Sequence, residues 1–281
     1  MTRILGITRA PQYSPQSEAQ DMAILKAVME CMEGEKRMVN ETEVDDDFAA
    51  NIILSMGRQP LTVKWLKDKE AEGVLVVNSG YGVEACQRSH VDKIMRSHGV
   101  PMPPTTGMHG YWLKRGDTSA QTRDDVVYCR NDKELAQAKS AFRNRGITDM
   151  VVSANMQGDV VKFYGVRKTA FFRCFYPGDD GISKFGNEAR NGVPLHYAFS
   201  VERLQCDAER LAGLLHTEVY GGDCIVASDG TYSIIDFNDW PSFSRCREEA
   251  AEAIANKVQA DWERRKKQDN ESIQRAITGL F

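Results

Sequence analysis

A chain of 281 residues, 42% of them hydrophobic, has enough apolar mass to bury the core of two domains or of one large domain with subdomains, which excludes a disordered or low-complexity protein. Its formal net charge of -4 provides no global basic field, which argues against a nucleic-acid partner. No stretch approaches the roughly 18 apolar residues of a membrane span, and the opening MTRILGITRAP lacks the apolar core of a signal peptide, so a cytoplasmic protein without membrane contact is expected.

Arg3 to Ile7 is a short apolar run that reads as a strand. The turn-like TRAPQYSP leads from it into residues 17–32, where Met22, Leu25, Val28, Met29 and Met32 recur at helical spacing. A second cycle follows: Ile52 to Ser55 reads as a strand bounded by Gly57 and Pro60, Leu61 to Ala71 as a helix, and Gly73 to Asn78 as a buried strand. Strands alternating with helices predict a parallel open sheet, so residues 1–90 form an N-terminal α/β domain. Such sheets bind ligands at the carboxyl ends of their strands, which marks Thr8 to Ser14, Met56 to Pro60 and Asn78 to Gly82 as edges of a site.

Residues 90–105 predict a short helix broken by Gly99 and three prolines, a natural boundary. Gly110 to Lys114 and Val126 to Cys129 read as strands around a polar turn, Lys133 to Arg145 as a helix and Met150 to Ser153 as a further strand, together a small α+β unit over 91–156. Gln157-Gly158-Asp159 is a turn into a long strand or hairpin from Val160 to Arg173. The polar, glycine-rich stretch from Tyr176 to Ser200 is longer than an ordinary connection. Val201 to Leu215 reads as an amphipathic helix, VYGGDCIVASDGTYSIIDFNDWP as a β-hairpin turning at Asp229-Gly230, and Glu248 to Lys257 as a helix, which closes a C-terminal unit over 157–257. The charged tail, 258–281, reads as a solvated helix end. Seven cysteines are scattered singly without zinc spacing, so they are reduced packing residues, and none of the five histidines stands out as a general base.

The densest chemical signal is Asp223, Asp236 and Asn238. On a hairpin that turns at Asp229-Gly230, positions 223 and 236 fall near opposite ends of paired strands, and Asn238 shares the face of Asp236 by the two-residue period. Two carboxylates and an amide oxygen suit a hard cation such as magnesium, which completes its octahedron with phosphate oxygens and water. Asp-Gly and Asn-Asp are also ordinary turn chemistry, and spacing by itself does not choose between the two roles.

The stretch YGGDCIVASDGTYSIIDFNDWPSF resembles the magnesium-binding hairpin of the ATP-grasp superfamily, in which an acid, a strand pair and an acid-x-Asn-x-x-Pro sequence close the site. Other landmarks stand in the family's order: VNSGYGVEACQRSHVDKIMRSHGVPMPPT resembles its lysine-bearing helix, YWLKRGD its phosphate-reaching strand, and MVVSANMQGDVVKFYGV its adenine-side linker. The resemblance covers residues 1 to about 256. It implies an ATP-grasp fold: an N-terminal parallel-sheet α/β domain, a small central lid subdomain and a C-terminal antiparallel-sheet domain. It also implies ATP and Mg2+ as cofactors, with Lys93 and Lys114 on the phosphates, the backbone of Ser153, Ala154, Asn155 and Met156 on the adenine, Asp159 available to the ribose, and Asp223, Asp236 and Asn238 on the metal. Gly221 stands where D-alanine:D-alanine ligases place an Arg, which sets the chain apart from that subgroup.

Basic residues mark the acceptor side. Lys162 and Arg173 are expected across from the metal hairpin as catalytic groups, with Arg58 and Arg167 as substrate contacts, because a guanidinium fork suits a carboxylate or phosphate. Arg167 and Lys168, adjacent on a strand, serve equally well as surface charge. The superfamily's commonest reaction implies a carboxylate-amine ligase that works through an acyl-phosphate, with a small anionic substrate and an amine as partners. KFYGV followed by DFNDWPSF is also similar to the inositol-phosphate kinases of this fold, so a small-molecule kinase stands beside it, and a catalytically silent nucleotide-binding module is the third reading. Dimers are common in the superfamily, which makes a homodimer the assembly it implies.

Overall fold

The computed structural model describes residues 1–14, 17–117, 122–180 and 192–278. Its N-terminal part contains β1 (Arg3–Thr8), α1 (Glu18–Glu30), β2 (Glu35–Asn40), β3 (Ile52–Ser55), α2 (Pro60–Ala71) and β4 (Leu75–Val77). The strands form a parallel sheet in the order β2-β1-β3-β4, as the two strand-helix cycles predict. One strand, β2, is absent from the sequence reading: EKRMVN carries little apolar signal, and the strand exists because β1 supplies its hydrogen bonds from Arg3 to Thr8. Leu5, Ile7, Ile53 and Val76 pack one face of this sheet against Leu66 of α2. Ile4, Ile52, Leu54 and Val77 pack the other face against α1.

Two short helices, α3 (Gly80–Ala85) and α4 (Arg88–Ser97), lead to the middle of the chain. There β5 (Tyr111–Arg115), β6 (Val126–Cys129) and β7 (Met150–Ala154) form an antiparallel sheet in the order β6-β5-β7, covered by α5 (Asp132–Asn144). Asn131 caps α5 by accepting from the Glu134 amide at 3.0 Å, which satisfies one of the open donors of the first turn. This unit has its own small core of Leu113, Cys129, Leu135, Phe142 and Ile147.

The third sheet, in the order β11-β10-β8-β9, is antiparallel and comprises β8 (Asp159–Val166), β9 (Phe172–Phe175), β10 (Val219–Val226) and β11 (Tyr232–Asp239). Its helix α6 (Val201–Leu214) buries Leu204, Ala208, Leu211 and Ala212, the face that the amphipathic pattern predicts, and Ser200 caps it. The hairpin of β10 and β11 turns at Gly230, whose φ of +81° suits glycine. Of the polar stretch 176–200, residues 181–191 lie outside the described residues; beyond them, Leu195 and Tyr197 donate backbone N–H to Asp159 at 2.8 and 2.9 Å.

The last helix, α7 (Arg247–Thr278), runs on without a break through 257 and 258. Its Ala250, Ile254 and Val258 join α1, the N-terminal sheet and the β8 and β10 strands in one core with Trp240 and Phe243. The N-terminal and C-terminal sheets therefore share apolar packing, while the small sheet packs on itself. No helix among the described residues is long and apolar enough to cross a membrane.

Candidate functional site

A cleft of about 580 Å³ opens where the three sheets meet. Its N-terminal wall includes Tyr13, Arg58, Lys64 and Lys67, which lie in or just after the loops at the carboxyl ends of β1 and β3, where a parallel sheet presents its ligands. The small sheet contributes Lys114, Val151 and Ser153; α4 contributes Arg88, Val91 and Met95; and β11 contributes the run Ile234 to Asp239.

Asp223 of β10 stands directly opposite Asp236 of β11 and Lys162 of β8, so the three side chains share one face of the sheet. Lys162 Nζ donates to Asp223 Oδ1 at 2.6 Å. Burial works against the Lys162 charge, but the Asp223 carboxylate and further groups nearby hold its pKa above the ordinary lysine value. Beyond the Asp223–Asp236 pair the register shifts, because Cys224 pairs with Ile234 and Ile235 is the extra residue of a bulge. The Ile235 carbonyl accepts from Lys114 Nζ at 2.8 Å, so the bulge ties the small sheet's lysine to the hairpin of β10 and β11.

Asp236 is the electrostatic centre. Burial pushes its carboxyl up, but the Arg88 guanidinium at 3.7 Å, Lys114, a hydrogen bond from Asn238 and Lys162 together hold it down to about 2. Asn238 Nδ2 donates to Asp236 Oδ2 at 3.0 Å, which brings the amide and the carboxylate edge to edge. A cation between the two groups would turn the amide oxygen inward. Two carboxylates and an amide on one sheet face, one of them ionised down to about pH 2, fit a magnesium ion that takes its remaining ligands from phosphate and water. Among the described residues no group of three or more His, Cys, Asp and Glu gathers as an all-protein metal cage.

The other sequence-predicted residues divide. Lys114, Ser153 and Arg58 line the cleft with Asp236 and Asn238. Lys93 is exposed and does not line it. The cleft cation on that helix is Arg88, whose Nη1 donates to the Arg115 carbonyl at 2.7 Å. Its helical phase was a usable signal: Val91 and Met95 are the buried residues of α4, Arg88 sits one turn before Val91, and Lys93 is about 200° round from Val91. In the linker, the Ala154 amide donates to the Pro104 carbonyl at 2.7 Å and the Asn155 amide to that of Gly110 at 2.9 Å. The Asn155 side chain bridges Trp112 Nε1 and the His109 carbonyl, and neither Asn155 nor Met156 lines the cleft. Asp159 is buried and holds the loop at Leu195 and Tyr197. Arg167 pairs with Glu218 at 2.8 Å and Arg173 with Glu249 at 2.6 Å, both away from the cleft. A Cβ at Gly221 would lie 2.9 Å from Pro241 and from Tyr164, so no side chain fits there.

Beneath the cleft two arginines of the N-terminal unit grip the end of β11. Arg9 donates to the Trp240 carbonyl at 2.7 Å and to that of Met56 at 3.2 Å, beside Asp21 at 3.5 Å. Burial and the neighbouring Arg58 charge lower its pKa to about 10. Arg58 donates to Asp239 Oδ1 at 2.6 Å and to its carbonyl at 3.2 Å. Cys86 also lines the cleft, but burial first and the Asp239 charge second push its thiol up to about 12, so it is neutral near pH 7 and does not act as a nucleophile. These buried charge contacts join residues far apart in the chain, and nothing in local spacing announces them.

No protein-family model matches the sequence, and no curated protein matches it. Among solved structures, the chain is similar to the D-alanine-D-alanine ligase from Coxiella burnetii, with a TM-score of 0.65 at 10% identity over 99% of this chain and 100% of that chain. It is similar to D-alanyl-alanine synthetase A from Vibrio cholerae, with a TM-score of 0.66 at 10% identity over 94% of this chain and 99% of that one. The ATP-grasp ligase PsnB complexed with minimal precursor gives a TM-score of 0.59 at 11% identity over 92% and 99%. With its parallel sheet, small antiparallel sheet and C-terminal antiparallel sheet, and with these likenesses over nearly its whole length, this protein has the ATP-grasp fold.

Proposed function

We propose that the chain is an ATP- and magnesium-dependent ligase that joins a carboxylate to an amine through an acyl-phosphate. One observation carries the reading: Lys114 and Arg88 converge on Asp236 beside Asn238, inside the cleft between the small sheet and the C-terminal sheet. Two fixed cations and a cluster of hard oxygen donors are what a triphosphate with its metal requires, because a loose phosphoryl-transfer transition state is stabilised by position and charge. The fold supports it further, since a D-alanine-D-alanine ligase from Bacillus anthracis was solved with ATP and PsnB with Mg and ADP.

Asp223, Asp236 and Asn238 would hold a magnesium ion, which would supply charge neutralisation to the phosphate oxygens. Lys114 and Arg88 bind the phosphates; on nucleotide binding they exchange the Ile235 carbonyl and Asp236 for phosphate oxygens. Lys162 stays on Asp223 and keeps that carboxylate aimed. Ser153 lines the nucleotide end of the cleft. A carboxylate oxygen of the acceptor attacks the γ-phosphorus as the bond to ADP breaks, and an amine then attacks the acyl carbon, loses a proton and releases phosphate.

Incubation with ATP, magnesium and pools of amino acids, dicarboxylates and polyols, read by phosphate release and product mass, tests the reading. Free phosphate is expected only when a carboxylate and an amine are both present. A phosphorylated polyol or acid that accumulates as the end product contradicts ligation and identifies a kinase; ATP binding without turnover in any pool identifies a binding module.

A further inference from the structure

Along β7, Val151 pairs with Lys114 and Ser153 with Trp112 of β5, and both Val151 and Ser153 line the cleft. Ser153 therefore lies two strand residues, about 7 Å, beyond the phosphate-binding lysine, on the side where the base of a bound nucleotide would lie. Residues 101–104 close that end. The Pro101 carbonyl accepts from the Ile234 amide of β11 at 2.9 Å and the Pro104 carbonyl from the Ala154 amide of β7 at 2.7 Å, so the segment bridges the two sheets and presents Met102 and Pro103 to the cleft. Met95 of α4 and Ile234 add to the apolar wall.

Reading a base by its edge needs free donors and acceptors in a fixed pattern. Here most of them are spent or missing. The Ala154 and Asn155 amides answer the Pro104 and Gly110 carbonyls, and the Asn155 side chain is held by Trp112 and the His109 carbonyl. Three of the four residues 101–104 are prolines, which carry no N–H, so the segment has a single amide, that of Met102. Asp92 of α4 also lines the cleft, but it is paired with Arg96 at 2.9 Å. The side chains left to meet a base are the Ser153 hydroxyl, which both donates and accepts, and the thioethers of Met95 and Met102, which adapt to the shape they enclose. Adenine presents a ring acceptor beside an amino donor, and hypoxanthine presents the reverse. A site built on fixed donors rejects one of them strongly, whereas a rotating hydroxyl in an apolar slot serves both. We propose that this slot recognises its base by apolar enclosure and the Ser153 hydroxyl, so that the phosphoryl donor is a purine nucleoside triphosphate of either edge pattern and not ATP alone; this rests on the nucleotide reading above.

The test is calorimetric titration of the full chain, wild type and Ser153→Ala, with ATP, ITP and inorganic tripolyphosphate, each in the presence of magnesium. ITP is expected to bind wild type within about tenfold of ATP, and both at least about tenfold more tightly than tripolyphosphate. Ser153→Ala is expected to weaken ATP and ITP by about the same factor, roughly threefold to tenfold, and to leave tripolyphosphate unchanged. ITP that binds wild type more than about tenfold more weakly than ATP overturns the proposal. So does a Ser153→Ala loss that is confined to one nucleotide or absent from both. Tripolyphosphate that binds as tightly as ATP overturns it as well, because the slot then holds no base, and leaves the phosphate end of the site standing. Wild-type protein that binds none of the three refutes the nucleotide reading itself.

Discussion

Asp236 concentrates the electrostatics of the cleft in one carboxyl group, and its ionisation is tied to stability. Its folded pKa, about 2, lies below the ordinary aspartate value of 3.8, so the stabilisation is fully present above about pH 4 and is lost as the pH falls toward 2. A shift of that size corresponds to about 2 kcal/mol. Asp236→Asn is accordingly expected to cost about 2 kcal/mol at pH 7 in denaturant unfolding, with the gap from wild type closing between about pH 4 and 2. A gap that stays constant over that interval would show that the three neighbouring cations do not act on this carboxylate. At this scale the sequence was only partly legible. The hairpin turning at Asp229-Gly230 was legible, but Asp223 and Asp236 face each other only because the bulge at Ile235 shifts the register that the turn sets, and the sequence did not announce that bulge. Lys93 illustrates the opposite case: a landmark taken from resemblance pointed to the exposed side of α4, where the helical phase of Val91 and Met95 favours Arg88 for the inner side.

Among the elements, the small sheet is energetically the most separate. Its core consists of five buried residues of its own, with Phe142 of α5 at 1% exposure the largest. Phe142→Ala is expected to cost about 3–5 kcal/mol locally. Hydrogen exchange should then show β5, β6 and β7 opening together while β10 and β11 stay protected, with weaker ATP binding because Lys114 rides on β5. Uniform loss of protection across all three sheets would contradict a separately stable unit. Period and turn chemistry predicted most elements near their observed bounds, since β5, β7 and the β10–β11 hairpin carry apolar runs and α6 an apolar face at helical spacing. They failed at β2, whose edge position leaves Glu35, Lys36 and Arg37 no core to face, so that its strand character comes from its neighbour.

Over the whole molecule, the N-terminal and C-terminal sheets form one body. They share the core around Trp240, Phe243 and Ile254, and Arg9 and Arg58 grip Trp240 and Asp239 across more than half the chain length. The small sheet faces this body across the cleft, with Lys114 bound to Ile235 and Arg88 bound to the Arg115 carbonyl as the polar links. None of these joints was visible in local sequence, because each depends on partners brought together only by the fold. They matter for function because they set the end of β11, and with it Asp236 and Asn238, against the cations that face them. The most direct measurement is titration of ATP into wild-type protein and Asp236→Asn, each with magnesium and with a chelator. The site described above predicts that magnesium strengthens ATP binding to wild type by about tenfold or more and that the substitution removes most of that gain. ATP binding that is equally strong with chelator, or a magnesium effect that survives in Asp236→Asn, would contradict it.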